Sequence, residues 1–359
     1  MFKRKSMPFF IVLLSFAIIL GGCGLLKGGN QEIDPPQSES IIEDESALEE
    51  SGVETEDKDV SDSKETADQS VMTELYLIDK NGYVVPQTIA LPSQQGVAKQ
   101  ALEHLVADGP VTDLLPNGFR AVLPAGTQVD VDIKDGKATV DFSKEFANYN
   151  SEDELKILQA VTWTLTQFDS VETVKLQMNG HELKEMPVNK TPISENLTRA
   201  NGINIDTSST VDITNSTAMT LYYLGGDDSN YYYVPVTKRV DVKGNDMVSA
   251  VVKELVKGPG SSSKLLTEFM PDVALLTEPK IDKKEAKISL NFNENIYGSF
   301  DENIVSQSLI DVLVLSLTEQ KGIESVEVLV NGKASLVTED GKELSAPVNR
   351  PEKVNRSSL

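Results

Sequence analysis

Few side chains in this chain of 359 residues have the type and spacing to do chemistry. There is one cysteine, Cys23, and there are two histidines, His104 and His181. One pair of carboxylates, Asp141 and Glu145, stands close together after a predicted strand. A nucleophile needs a base within reach, acid–base catalysis needs the ionisable group itself, and a metal needs several converging donors. Cysteine nucleophile motifs, histidine-rich metal spacings and glycine-rich phosphate loops are absent from the sequence.

The chain also contains its own control, because it repeats itself beyond position 70. A site built into the ancestral module would stand in both copies unless one copy had lost it. His104 is answered by Glu254 and His181 by Lys333, so the repeat carries neither histidine. Asp141 and Glu145 are answered by Asn291 and Asn295, which cannot do acid–base work. His104 is expected on the polar side of its helix and His181 just past an Asn-Gly turn, both at the surface. The sequence therefore names no catalytic residue, no metal ligand and no cofactor. Trp163, opposite Leu315, reads as core. Tyr231-Tyr232-Tyr233 is the one unusual feature, with Tyr83-Val84-Val85 in its place in the first copy. It reads either as a half-buried strand or as an aromatic strip that offers Tyr231 or Tyr233 to a partner.

The elements that frame these residues follow from periodicity. Val97, Ala98, Ala101, Leu102, Leu105 and Val106 recur at helical spacing, as do Met247, Val248, Val251, Val252, Leu255 and Val256. Each run closes on Gly-Pro, at Gly109-Pro110 and Gly258-Pro259. Longer helices are expected over about 153–168 and 302–319, with stripes at Ile157, Val161 and Leu165 and at Leu309, Leu313 and Leu317. A first hairpin is expected from Leu75–Leu77 with Tyr83–Leu91, and from Leu221–Tyr223 with Tyr231–Val242. A second joins Gln128–Ile133 to Lys137–Phe142, and Ala274–Ile281 to Ala286–Phe292. A closing strand runs into Asn179-Gly180 in one copy and Asn331-Gly332 in the other. Pro187-Val188-Asn189-Lys190 returns as Pro347-Val348-Asn349-Arg350. The fold class is α+β: two tandem repeats, 74–192 and 219–351, each a mostly antiparallel sheet with two helices on one face. The joint, 193–218, is compatible with a rigid interface or a loose tether, and 352–359 reads as a tail.

Ahead of the repeats the chain addresses itself to a membrane. Lys3, Arg4 and Lys5 precede an apolar run of 14 residues, Met7–Leu20, too short to span a bilayer. Leu20-Gly21-Gly22-Cys23 resembles the bacterial lipobox, in which the thiol receives a diacylglyceryl group and the chain is cut before it. Residues 1–22 are thus expected to be a lipoprotein signal peptide and Cys23 the lipidated first residue outside the cytoplasm. Residues 31–70 hold fifteen Asp and Glu against two Lys, without an aromatic residue. Such a composition is expected to leave 23–73 as a disordered spacer, whose reach over about 50 residues is roughly 40 Å. Net charge is −23, which becomes about −26 once the three cations of the signal peptide are gone. That balance argues against nucleic acid and against electrostatic adhesion to anionic lipid, so acyl chains must hold the membrane.

Taken together, these motifs resemble one family. Each module opens on a Leu-Tyr strand and runs through a helix toward Gly-Pro. It then carries a strand like Thr139-Val140-Asp141-Phe142-Ser143, a long helix and the pattern Val171-x-x-Val174-x-Leu176-x-x-Asn179-Gly180. This resembles the GerMN-domain family of sporulation and germination lipoproteins of endospore-forming bacteria. The resemblance covers residues 74–351; Asn291-Phe292-Asn293 departs from the Asp-Phe-Ser form without disturbing the rest. It implies a fold like the ring-building motif of secretion-system and sporulation-channel proteins. It further implies a mother-cell membrane location facing the forespore and a part in assembling the SpoIIIA–SpoIIQ transenvelope complex, with no catalytic residues to carry over. Two other classes compete: an extracytoplasmic receptor for germinants or wall fragments, with a pocket between the repeats, and an extracytoplasmic hydrolase.

Overall fold

The computed structural model describes residues 70–355 apart from 209–211, 213, 215, 228–229, 243–245, 299–302 and 335. The signal peptide, Cys23 and almost all of the acidic segment lie outside the described residues. Both repeats belong to one compact unit.

The first repeat runs β1 (Ser70–Asp79), β2 (Val84–Pro92), α1 (Val97–Glu103), β3 (Phe119–Arg120), β4 (Val129–Lys134), β5 (Lys137–Phe142), α2 (Glu154–Leu165), β6 (Thr173–Met178) and β7 (His181–Glu182). The second runs β8 (Thr217–Asp227), β9 (Asn230–Val240), α3 (Met247–Lys257), β10 (Lys280–Asp282), β11 (Lys287–Phe292), β12 (Ile304–Val305), α4 (Gln307–Thr318), β13 (Ser325–Val330), β14 (Val337–Thr338) and β15 (Val348–Asn349). The expected order of hairpin, helix, hairpin, helix and strand is present twice. β1 starts at Ser70, four residues ahead of the expected 74, with Val71 and Thr73 in register with Leu91 and Ile89.

Turn chemistry fixes the strand ends. Asp135 and Gly136 take φ 50 and 75, Asn179 and Gly180 take 50 and 76, and Asn331 and Gly332 take 49 and 77. Two successive left-handed residues make the tight turns whose twist suits a hairpin, and Asn-Gly and Asp-Gly tolerate them best. Gly258, at φ 82, closes α3 where the sequence places its stop.

Three expectations need correcting. Each repeat distributes its strands over more than one sheet. In the first, β2-β1-β3 stands apart from β4-β5-β6-β7; in the second, β8-β9 and the short pair β12-β14 stand apart from β10-β11-β13-β15. The strand pairings are mostly antiparallel, as expected, but the larger sheets each have one parallel pair at the centre, β5 with β6 and β11 with β13. A helix lies between each pair in sequence, and the crossover it makes returns the chain in the same direction. Second, α1 stops at Glu103, well before Gly109; the Leu105 carbonyl accepts the Val122 and Leu123 N–H groups, and Val106 bridges to Leu123. Third, the second copy's outer hairpin strand is broken. Leu276 N–H donates to Asn291 at 2.7 Å, yet pairing resumes only at Lys280, because Pro279 has no N–H to give.

Each repeat has its own hydrophobic core. Ile157, Val161, Trp163 and Leu165 fill the first beneath Tyr76, and Leu309, Leu313, Leu315 and Leu317 fill the second beneath Tyr222. Trp163 is core, as expected. Val85, however, lies in the core of the second repeat, and Phe119 packs against both.

Candidate interaction surfaces and the inter-repeat clasp

The residues that invited a chemical reading have structural work. Both carboxylate oxygens of Asp141 accept the Gly180 N–H, at 2.9 and 3.0 Å. Asn291 does the same in the second copy, its Oδ1 accepting the Gly332 N–H at 2.8 Å. An amide oxygen serves this turn as well as a carboxylate does, so the copies exchange Asp for Asn without loss. Asn295 donates to the carbonyl of Asp272 at 3.0 Å. His181 is exposed. His104 is not at the surface: it is 8% exposed, with Nδ1 2.8 Å from the Gln100 carbonyl oxygen. α1 ends one residue before it, so the helical face that made it polar does not extend that far. Among the described residues, no group of three or more His, Cys, Asp or Glu is placed to hold a metal ion.

The tyrosines separate. Tyr231 is 55% exposed. Tyr233 is 8% exposed and is not an outward contact, which corrects that half of the expectation. Its hydroxyl donates to Asp311 on α4 at 2.8 Å, so the helix covers the strand at this point. Tyr232 points the other way and reaches the first repeat. Its hydroxyl donates to Asp79 at 2.7 Å, and its ring meets Phe119 edge-on with centroids 5.0 Å apart.

The strongest polar cluster joins the repeats, and it is built from the stretches read as linker and tail. Asn204 donates to the Val84 carbonyl on β2 at 2.7 Å and to the Pro235 carbonyl on β9 at 2.8 Å, while accepting the Val84 N–H at 2.9 Å. Asn355 mirrors it. It donates to Pro86 on β2 at 2.8 Å and to Tyr233 on β9 at 2.9 Å, while accepting the Tyr233 N–H at 2.8 Å. The segment after the first repeat therefore grips the second, and the segment after the second grips the first. Backbone bonds follow the same exchange: Thr237 N–H donates to Ile203 and Thr88 N–H to Asn355, both at 2.8 Å. The described part of the joint is thus packed against both repeats by hydrogen bonds.

Five residues before each asparagine stands an arginine, and the two converge on one carboxylate. Glu319, at the end of α4, takes Arg199 at 3.3 Å, Arg350 at 3.0 Å and the Tyr222 hydroxyl at 3.0 Å. Burial would raise its carboxyl, but the two guanidinium groups outweigh burial and hold it below the ordinary range. Arg199 also lies 4.5 Å over the Trp163 ring and donates to Thr166, while Arg350 donates to Thr318 at the equivalent helix end. The signal was in the sequence. Arg199-x-x-x-Ile203-Asn204 is answered by Arg350-x-x-x-Val354-Asn355, since Leu197 bridges Val174 as Val348 pairs with Val326; this corrects the match of Pro187–Lys190 to Pro347–Arg350 and carries the first repeat past 192.

Two recesses stand out, and neither lies between the repeats. An open depression of about 590 Å³ is lined by Lys99, Glu103, Gln128, Asp130, Asp141 and Asn179 among others, all in the first repeat. A recess of about 130 Å³ lies beside α2, lined by Leu155, Leu158, Gln159 and Pro192 among others. The second is smaller than the several hundred Å³ of ordinary ligand pockets.

Two matching modules with this order of elements decide the kinship. A family model described as Germane, sporulation and spore germination, matches residues 74–184 and again 220–335. The chain belongs to the Germane family. It is 50% identical to the spore germination protein GerM of Bacillus subtilis (strain 168) over 369 residues, covering all of both chains. The solved tandem GerMN domains of the sporulation protein GerM from Bacillus subtilis superpose with a TM-score of 0.76 at 54% identity, over 81% of this chain and 100% of that one. The tandem arrangement of that solved structure thus resembles the one described above.

Proposed function

We propose that this chain is a lipid-anchored assembly protein of endospore formation and germination that works by protein–protein contact and not by catalysis. Cys23 carries the lipid, on the outer face of the mother-cell membrane toward the forespore. The acidic segment lets the clasped repeats act above that membrane, and their partners are proteins of the SpoIIIA–SpoIIQ transenvelope complex. One observation carries the reading: the paired repeats are locked together by groups from both, with Arg199, Arg350 and Glu319 at the joint. A rigid double module presents a fixed surface, which suits a scaffold. The acidic residue best suited to catalysis, Asp141, is instead a turn cap that Asn291 replaces. Exposed Tyr231 is a contact on the second repeat. The charge of −23 makes nucleic acid an unfavourable partner.

Crosslinking in sporulating cells, followed by purification of the detergent-solubilised chain, tests the role. Recovery of channel proteins is expected; recovery of a small ligand with no crosslinked protein would favour a receptor instead. Cys23→Ala is expected to abolish fatty-acid labelling and membrane retention, and a labelled variant would overturn the anchor.

A further inference from the structure

The first repeat has a six-residue outer strand that its duplicate shortens to three. β4 is an outer strand of β4-β5-β6-β7, paired only with β5. The Ser143 N–H donates to Gln128, which sets the phase of the ladder: Gln128, Asp130, Asp132 and Lys134 bond inward. Val131 and Ile133 consequently turn their N–H and C=O groups outward, and no described residue bonds them. Their side chains are half-buried on the core side, while Asp130, Asp132 and Lys134 are exposed on the other. In the second repeat the matching strand shrinks to Lys280–Asp282 behind Pro279, so this edge is not duplicated.

We infer that β4 is a docking edge for an extended segment of another protein, one that alternates basic and apolar side chains. Added strands draw affinity from backbone bonds and specificity from alternate side chains. Asp130 already holds Lys99 of α1 at 3.4 Å, which leaves Asp132 to face the docked strand: the residue opposite it would be Lys or Arg, and that residue's neighbours would lie apolar beside Val131 and Ile133. Two other occupants are disfavoured by charge. The chain's own segment 31–70 carries fifteen acids against two lysines, and a second copy brings another net −23. The inference deepens the assembly reading and rests on it for the partner being a protein.

Amide hydrogen exchange on the full chain in detergent tests the edge directly. The probe is a capped hexapeptide alternating lysine and valine; the control is the same peptide N-methylated at alternate amides, equal in charge but unable to pair. The Val131 and Ile133 amides should slow about tenfold at a peptide concentration ten times Kd. The N-methylated control should leave them unchanged. Val131→Pro should abolish the protection without unfolding the strand, since its N–H points to solvent. A double variant, Asp130→Lys with Asp132→Lys, keeps the backbone and should abolish it as well. Equal protection by both peptides, or none by either, would overturn the inference. So would a chain dimer that dissociates in Val131→Pro, which would assign the edge to a second copy. Wild-type crosslinks to channel proteins that persist in Val131→Pro would remove this edge while leaving the assembly role standing.

Discussion

Asn204, after the first repeat, and Asn355, after the second, hold the same two strands. Each amide donates to one carbonyl of β2 and one of β9, and each carbonyl oxygen accepts a strand N–H. β2 and β9 are outer strands of separate sheets, and an outer strand exposes unpaired groups that invite aggregation. The asparagines satisfy those groups from the side, turning two exposed edges into a joint.

Replacing either asparagine with Ala removes three hydrogen bonds and leaves strand groups without partners. Each single change should cost about 2–3 kcal/mol of unfolding free energy. The double variant should depart from additivity, because both residues grip the same pair of strands. Chemical denaturation of the three proteins measures it, and a loss under about 0.5 kcal/mol would place the joint's strength elsewhere.

Glu319→Gln leaves Arg199 and Arg350 without their shared counter-charge. Removing one member of a buried charge cluster is costly, and a loss of about 3 kcal/mol is expected. The arginine over Trp163 should also shift, so tryptophan fluorescence is a second readout. An unchanged spectrum and midpoint would show that the arginines find other partners.

Acid should loosen the first repeat through Glu154. Burial pushes its carboxyl up, but hydrogen bonds from Thr191, Asn189 and Tyr149 outweigh burial and hold it at about 2. A depressed folded value means the stabilisation is complete above the ordinary carboxylate range near 4.3 and is lost as pH falls toward 2. Glu154→Gln should therefore destabilise the protein at pH 7 and flatten the fall between about pH 4.5 and 2. Parallel curves for the two proteins would contradict the assignment.

The tyrosines should separate in the same way as their surroundings. Tyr233→Phe loses the bond to Asp311 and should cost about 1–2 kcal/mol. Tyr231→Ala should change stability by less than about 0.5 kcal/mol while weakening recruitment of partners. A stable Tyr233→Phe alongside an unfolded Tyr231→Ala would reverse the reading of the strand.

Local rules were legible in the sequence where one residue type answers one backbone demand. Asn179-Gly180 and Asn331-Gly332 mark their turns because positive φ suits few other pairs. The stripes through Val161 and Leu313 mark α2 and α4 because one helical face repeats about every fourth residue. Sheet partition was not legible, since the alternation in Val129–Lys134 or Thr173–Met178 does not say which strand lies beside which. His104 was misplaced because the helical pattern runs on through Val106 although the helix ends at Glu103. The clasp escaped for a different reason. Arg199, Asn204, Arg350 and Asn355 are polar, and a search guided by apolar stripes stops before it reaches them.

If the protein works by contact without chemistry, spore yield should survive the loss of the Asp141, Glu145 and His181 groups, which the first repeat does not share with the second. A strain should carry, in place of its own copy, a triple variant in which Asp141→Asn, Glu145→Asn and His181→Lys give the first repeat the residues of the second. Heat-resistant spores at the wild-type count are expected, against a deletion strain that forms few. A folded, membrane-held triple variant that fails as the deletion strain does would contradict this expectation, and would place chemistry in the first repeat.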